Sequence, residues 1–336
     1  MPAVVANVTK FYLETSAVNY FLNLLTGADC QATREYQLSK GRDWFISTTV
    51  LWELMQIRDF KDYDACMFLA TFLFNPKLIK SASEIVIDFI EQGCPAYHVL
   101  KAPFTDSSIG IAWERACVDR SYSFNIHGSP FLDLTAKYKT ISRHLSQLCN
   151  PKAQLDASVP DYVRYLKDIL ESFYSALFTD VVVNQVAYLR RIAILILFVQ
   201  VCCCIDLSQD AILGYWKEKD IPDPIRRLQF LLGKYPDIVR RGPLWNIANA
   251  VLIQSWNHKK TSRGALHDGL HAVYLPFVDA FITKDEHFRL LRSRANKLFF
   301  GSLYKKVHHL DEMALTFADW KVNQPNFHDP SPAGAP

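Results

Sequence analysis

The chain has 336 residues, half of them hydrophobic and 21% charged, which excludes a disordered or fibrous protein and supplies enough apolar side chains for a large core. With 37 Lys and Arg against 34 Asp and Glu, the formal charge is +3, too small to mark the whole surface for nucleic acid or for an acidic partner. The 8 cysteines include no C-x-x-C pair and follow no signal-like leader, so they predict reduced thiols in a cytoplasmic protein, with a zinc site as the other reading.

In chain order, Phe11, Tyr12 and Leu13 form a short apolar strand that ends in Glu14-Thr15-Ser16. A helix is predicted over 17–25 and a second over 29–39, closed by Gly41. Trp44, Phe45 and Ile46 give a second strand. Ser47, Thr48 and Thr49 are N-cap residues for a helix carrying Leu51, Glu53, Leu54 and Ile57. With the cap at Thr48 or Thr49, Glu53 is not a capping-box acid; compensation of the helix dipole is its bland role.

From about residue 60 to 255 helical patterns dominate, at 63–74, 83–91, 108–120, 131–148, 161–178, 183–205, 210–217, 224–234 and 245–256. The apolar run 192–205 contains Gln200 and falls short of the roughly 20 residues a membrane span needs, so it reads as a buried core helix and the chain as having no membrane partner. Residues 325–336 read as a disordered tail rich in proline and small residues.

The stretch from Gly264 to Leu291 organises the rest. Leu270, Val273, Tyr274 and Phe277 recur at helical spacing, with Pro276 at the end of that helix. Ala280, Phe281 and Ile282 then suit a central parallel strand, and Thr283 to Asp285 follow at its carboxyl end, the edge where ligands bind in open α/β sheets. A last strand is predicted over 304–310. Neither end of the chain completes a sheet alone, so the economical fold is one parallel sheet built from both ends around a large helical insertion.

The segments YLETSAVNYF, FISTTVLWEL and HDGLHAVYLPFVDAFITKDEHF together resemble the PIN family of metal-dependent nucleases. The resemblance implies a PIN-like α/β/α sandwich with a central parallel sheet, formed by residues 10–60 and 258–312 and interrupted by an all-helical insertion over 61–257. It implies that Glu14, Glu53, Asp268 and Asp285 are the catalytic acids and hold Mg²⁺ or Mn²⁺, with Ser16 and Thr283 as hydroxyl supports at the same edge. Glu14 stands where most of the family has Asp, and the segment between Glu53 and Asp268 is far longer than in the compact toxin-like members. The implied activity is a ribonuclease that leaves a 5′-phosphate and a 3′-hydroxyl.

Clustered carboxylates are hard oxygen donors for such cations, which acidify water and neutralise phosphate charge. Lys259, Lys260 and Arg263 before Asp268, and Arg289, Arg292, Arg294 and Lys297 after Asp285, are the candidate RNA contacts, with a solvated charged face as the alternative. Asp279 could be a fifth acid or a cap at the start of its strand. His267 and His271 imitate the zinc-protease pattern H-E-x-x-H, with Asp in place of the Glu base and no third ligand at a recognised spacing. His287, His308 and His309 read as packing or surface residues.

Two further readings stand beside the nuclease. One is an inactive PIN-like scaffold or nucleic-acid-binding protein, distinguished by whether the four acids converge. The other is a helical interaction protein, which fails if the two chain ends form one sheet. An inhibitory protein partner or a homodimer is left open by the resemblance.

Overall fold

The two ends of the chain meet in one sheet. The computed structural model describes residues 8–57, 60–95, 103–119, 129–148, 155, 159–174, 181–258, 265–293 and 301–312. Strands β1 (Thr9–Leu13), β2 (Arg42–Phe45), β3 (Ala280–Thr283) and β4 (Val307–His309) form a four-stranded parallel sheet in the order β2-β1-β3-β4. Phe11, Tyr12 and Leu13 pair with Ala280, Phe281 and Ile282, so β1 from one end and β3 from the other are the central strands. Every residue of β3 and the last three of β1 are buried, as strands covered on two faces must be. A wholly helical fold is thereby excluded, and the class is α/β with mostly helical content.

Helices α1 (Thr15–Leu24) and α2 (Gly27–Ser39) connect β1 to β2, and α3 (Thr48–Leu54) follows β2. The long crossover to β3 carries α4 (Phe60–Leu73), α5 (Ala82–Glu91), α6 (Ser108–Val118), α7 (Ser129–Leu148), α8 (Asp161–Tyr174), α9 (Val181–Leu197), α10 (Gln209–Glu218), α11 (Pro224–Lys234), α12 (Pro243–His258) and α13 (Ala265–Leu270). Helices α14 (Glu286–Ser293) and α15 (Gly301–Tyr304) lead to β4. The apolar core runs unbroken from the sheet into this helical segment. On the sheet side it centres on Tyr12, whose ring lies 4.8 Å from Tyr274 and 5.1 Å from Phe281; each such pair is worth about 1 kcal/mol beyond its buried area.

Helix α12 joins the helical segment to the site. Gly242 precedes it at φ +77°, and a Cβ there would lie 2.5 Å from the Phe89 ring of α5. Pro243 then opens the helix where a missing N–H costs nothing. At the far side, a Cβ on Gly269 would lie 2.5 Å from Val251 Cγ2 of α12. Glycine at 269 thus lets α13, which carries Asp268, lie directly on α12.

Several predicted elements differ from those observed. The helix expected through Phe277 ends at Leu270, and His271–Phe277 forms a 3₁₀ turn containing Pro276. Proline cannot donate to the carbonyl of Ala272, and that carbonyl accepts instead from Asn246 Nδ2 of α12. The last strand is three residues, not seven, because Tyr304 sits in α15 with its hydroxyl on Asn246 O (2.9 Å) and Oδ1 (2.7 Å). The helix expected over 183–205 widens at Phe198–Cys202 into a π turn, which brings Gln200 Oε1 within 3.1 Å of Ser83 Oγ.

Among the described residues no helix is long and apolar enough to cross a membrane. Cys30, Cys66, Cys94, Cys117 and Cys202 to Cys204 are free thiols, and none belongs to a metal-ligand cluster among those residues. The predicted tail over 325–336 and Cys149 lie outside the described residues.

Candidate metal centre

The strand order reverses between β1 and β3, and their carboxyl ends deliver Glu14 and Asp285 to the same edge. Glu14 follows β1 directly. Its backbone N–H bonds Ile282 O (2.9 Å), and its side chain caps α1 by accepting from Ser16 N (3.1 Å). Glu14 Oε2 also accepts from Ser16 Oγ and from Thr283 Oγ1 (3.0 Å), so both predicted hydroxyl supports touch this acid. The predicted helix start at residue 17 is therefore two residues late, because Glu14 is the cap.

Glu53 arrives on α3. The N-cap is Ser47, which accepts from Val50 N (3.2 Å), so Glu53 lies beyond the first turn, where dipole compensation has faded. Its Oε2 accepts from Thr15 Oγ1 and faces His271 Nε2 at 3.2 Å. On its other side, His271 Nδ1 meets the Tyr12 hydroxyl at 2.7 Å, and that hydroxyl lies 3.0 Å from Ser47 Oγ. His271 is buried (1% exposed), and Glu53 keeps 15% exposure.

Ligating atoms of Glu14, Glu53 and His271 all lie within 4.8 Å of one another. Asp285 is half-buried at the end of β3, its N–H on Thr283 Oγ1 (3.0 Å). Asp268, half-buried on α13, acts electrostatically on both Asp285 and His271. The four acids thus share one electrostatic neighbourhood, with His271 as its cation.

The crowding leaves a signature in proton affinity. Burial pushes the Glu14 carboxyl up to about 7; Asp285 and Glu53 push the same way, while His271 and the Ser16 hydrogen bond oppose. Burial also raises Asp285, reinforced by Asp268 and Glu53 and opposed by His271 and His309. For His271, burial would lower the imidazole, but the charge and hydrogen bond of Glu53, with Glu14 and Asp268, carry it up to about 9. The imidazolium is the internal counter-charge of the acid cluster at neutral pH.

Asp279 lies at the opposite, amino end of β3, exchanging hydrogen bonds with Lys10 (2.8 Å to Oδ2, 2.9 Å from its N–H), so it caps the start of the strand and is not a fifth acid. His271 turns its two ring nitrogens to Tyr12 and Glu53, and the His267 side chain of the zinc-protease mimic lies outside the described residues. His309, read as packing or surface, is buried at the end of β4 with Nε2 on Lys284 O (3.0 Å).

Of the predicted RNA contacts, Lys259, Lys260, Arg263, Arg294 and Lys297 lie outside the described residues. Arg289 pairs with Glu286 at 3.1 Å, and Arg292 pairs with Glu312, so both cations are engaged on the surface. The residues missed from sequence are His271, Tyr12 and Thr15. His271 follows Asp268 by three positions, a spacing that places two side chains on one helical face.

Two carboxylates, nearby hydroxyls and two further acids form an oxygen-rich donor set that suits a hard divalent cation such as Mg²⁺ or Mn²⁺, and His271 could add a nitrogen only after losing its proton. Compared with protein-family models, with curated proteins and with solved structures, the chain matches none.

Proposed function

We propose that this chain is a metal-dependent endonuclease of the PIN type, cytoplasmic and acting on RNA. In this reading residues 10–60 and 258–312 are the nuclease unit, and the helical segment between them shapes access to it or receives a partner. The observation that supports the reading is the cluster of Glu14, Glu53 and His271, whose ligating atoms lie within 4.8 Å of one another, with Asp285 and Asp268 near enough to act on it electrostatically. Like charges are costly to crowd in a half-buried place, and a cation is the usual compensation.

Glu14 and Glu53 would hold Mg²⁺ or Mn²⁺, with Asp268, Asp285 and His271 beside them, and the chemistry supplied there is an acidified water and charge neutralisation on the phosphate. The chain's own residues do the positioning. Ser16 and Thr283 hold the Glu14 carboxylate against both α1 and β3. His271, braced by Tyr12, orients Glu53. The Thr283 hydroxyl also accepts the Asp285 N–H, which pins that acid at the end of its strand.

The test is cleavage of labelled single-stranded and structured RNA in Mn²⁺, Mg²⁺ or EDTA, by wild type and by Asp268→Asn/Asp285→Asn. Metal-dependent cutting that the double variant loses supports the reading. Cutting that survives the substitutions, or its absence in wild type together with absence of metal binding, rejects it.

A second reading, an inactive PIN-like scaffold or nucleic-acid-binding protein, is favoured by one feature. Glu14 Oε2 already accepts three protein hydrogen bonds and Glu53 already has His271 as its cation. Absence of cutting together with absence of metal binding is its signature.

A further inference from the structure

Lys284 sits between Thr283 and Asp285, the two residues that end β3 at the acid cluster. Its backbone is held on both sides. The N–H donates to Ser16 Oγ at 2.8 Å, and the carbonyl accepts from His309 Nε2 at 3.0 Å. The residue therefore has a fixed point of departure, one hydroxyl away from the Glu14 carboxylate.

From there the side chain takes a definite course. Ser16 and Tyr20 are four residues apart on α1 and so lie on one face of that helix. The Lys284 backbone touches the first of them, and its ammonium lies 4.9 Å from the ring centre of the second. The lysine runs outward along α1 for about one helical turn, roughly 5 Å, and ends over a half-buried aromatic ring. Lys284 is exposed, and no carboxylate among the described residues lies within ion-pair distance of it. This separates it from Arg289 and Arg292, which are already paired with glutamates.

An uncommitted cation, anchored at the backbone, steered by an aromatic ring and placed one turn from a cluster of acids, is suited to one task. Acids alone repel a polyanion. A positive charge at a fixed distance from them sets where the strand's phosphates can lie, leaving the scissile one at the acids. We propose that Lys284, seated on Tyr20, is a phosphate-binding subsite that positions single-stranded RNA beside the acid cluster. This rests on the nuclease reading and names how its substrate is held.

The experiment measures binding of a short fluorescein-labelled single-stranded RNA to the full chain by anisotropy over a series of salt concentrations, with cleavage kinetics run in parallel. The variants are Lys284→Ala, Lys284→Arg and Tyr20→Leu. Lys284→Ala weakens binding about tenfold, and the slope of log K against log salt becomes shallower by about 0.7, the value for one phosphate contact on a single strand. KM rises while kcat is held. Lys284→Arg restores both affinity and slope. Tyr20→Leu weakens binding about two- to threefold with the slope unchanged, since the charge remains and only its seating is lost. Thermal melting checks that the exposed Lys284 site leaves the fold intact.

Wild type that cuts RNA while Lys284→Ala binds with unaltered affinity and slope overturns the subsite and leaves the nuclease standing. Loss of kcat at unaltered KM also overturns it, since that places Lys284 in the chemistry. Wild type that binds RNA through Lys284 but does not cut retains the subsite and removes the nuclease. Wild type that binds no RNA overturns both.

Discussion

Among the described residues, fully buried acids lie in two places, and the two are built on different terms. In the helical segment Glu84 (7% exposed) and Asp206 (3%) sit among serines and threonines. Glu84 accepts from Ser81 N (2.9 Å), Thr105 Oγ1 (2.7 Å) and Ser208 Oγ (2.7 Å). Asp206 accepts from Ser83 Oγ (2.8 Å) and Ser208 N (2.9 Å). Each oxygen finds a neutral donor, and the network ties α5 to the segment after the π turn. At the sheet edge Glu14 is as deeply buried (4%), but there a second and a third acid press on it and the counter-charge is a histidine. Burial of a carboxylate is common to both places. Hydrogen bonds and a neighbouring acid act in both places; what separates them is that Asp206 feels Glu84, whereas Glu14 feels Asp285, Glu53 and a histidine counter-charge, so the first arrangement is a structural bolt and the second suits a cation.

The comparison breaks most visibly at the bolt. Glu84→Ala removes the capping-box acid of α5 and strands three donors, so unfolding in denaturant should lose about 3 kcal/mol while Mn²⁺ affinity is unchanged. A loss of metal affinity with little change in stability would reverse the two roles. Next in size is Gly269→Val, which drives a side chain into Val251 and should cost about 2 kcal/mol of stability and also weaken metal binding, because α13 carries Asp268.

The smallest effect is on pH dependence, and its sign follows from the shifts. Glu14 is raised from 4.5 to about 7, so the folded state holds a proton the unfolded chain releases, and stability falls as pH rises across that window. His271 is raised from 6.5 to about 9, so its contribution is complete below 6.5 and is lost as pH rises through about 9. Asp206, pushed up to about 6 by burial, adds the same sign at lower pH. The melting temperature in EDTA should therefore fall as pH rises from about 5 to about 9, and Mn²⁺ should flatten only the part due to the sheet edge. A curve that rises with pH would contradict these assignments.

Strands β1 and β3 are legible because each contains a compact apolar run ending in turn or capping residues, whereas β2 starts two residues before its expected run at 44–46, on Arg42 and Asp43, which carry no apolar signal; most helices of the crossover are legible because period and punctuation agree. The 3₁₀ turn at His271–Phe277 is not, since it depends on Asn246 taking over the carbonyl that Pro276 cannot serve. At the candidate site, the neighbourhood of Glu14, Ser16 and Thr283 follows from strand ends meeting at one edge. His271 escapes a local reading because its partners Glu53 and Tyr12 are 218 and 259 residues away. Within its own segment it spaces with His267 as a zinc-protease mimic, and only the fold shows which acids it faces. Arg289 and Arg292 show a related limit: each looks available after Asp285 until Glu286 and Glu312 are seen to engage them.

The most direct test of the central claim is calorimetric titration of the full-length, metal-free chain with Mn²⁺, for wild type and Glu53→Gln. Wild type is expected to show a single site with protons released on binding, and Glu53→Gln to lose it. Wild type that takes up no Mn²⁺, or a Glu53→Gln variant that binds it as tightly, would contradict the assignment of this sheet edge as a metal centre.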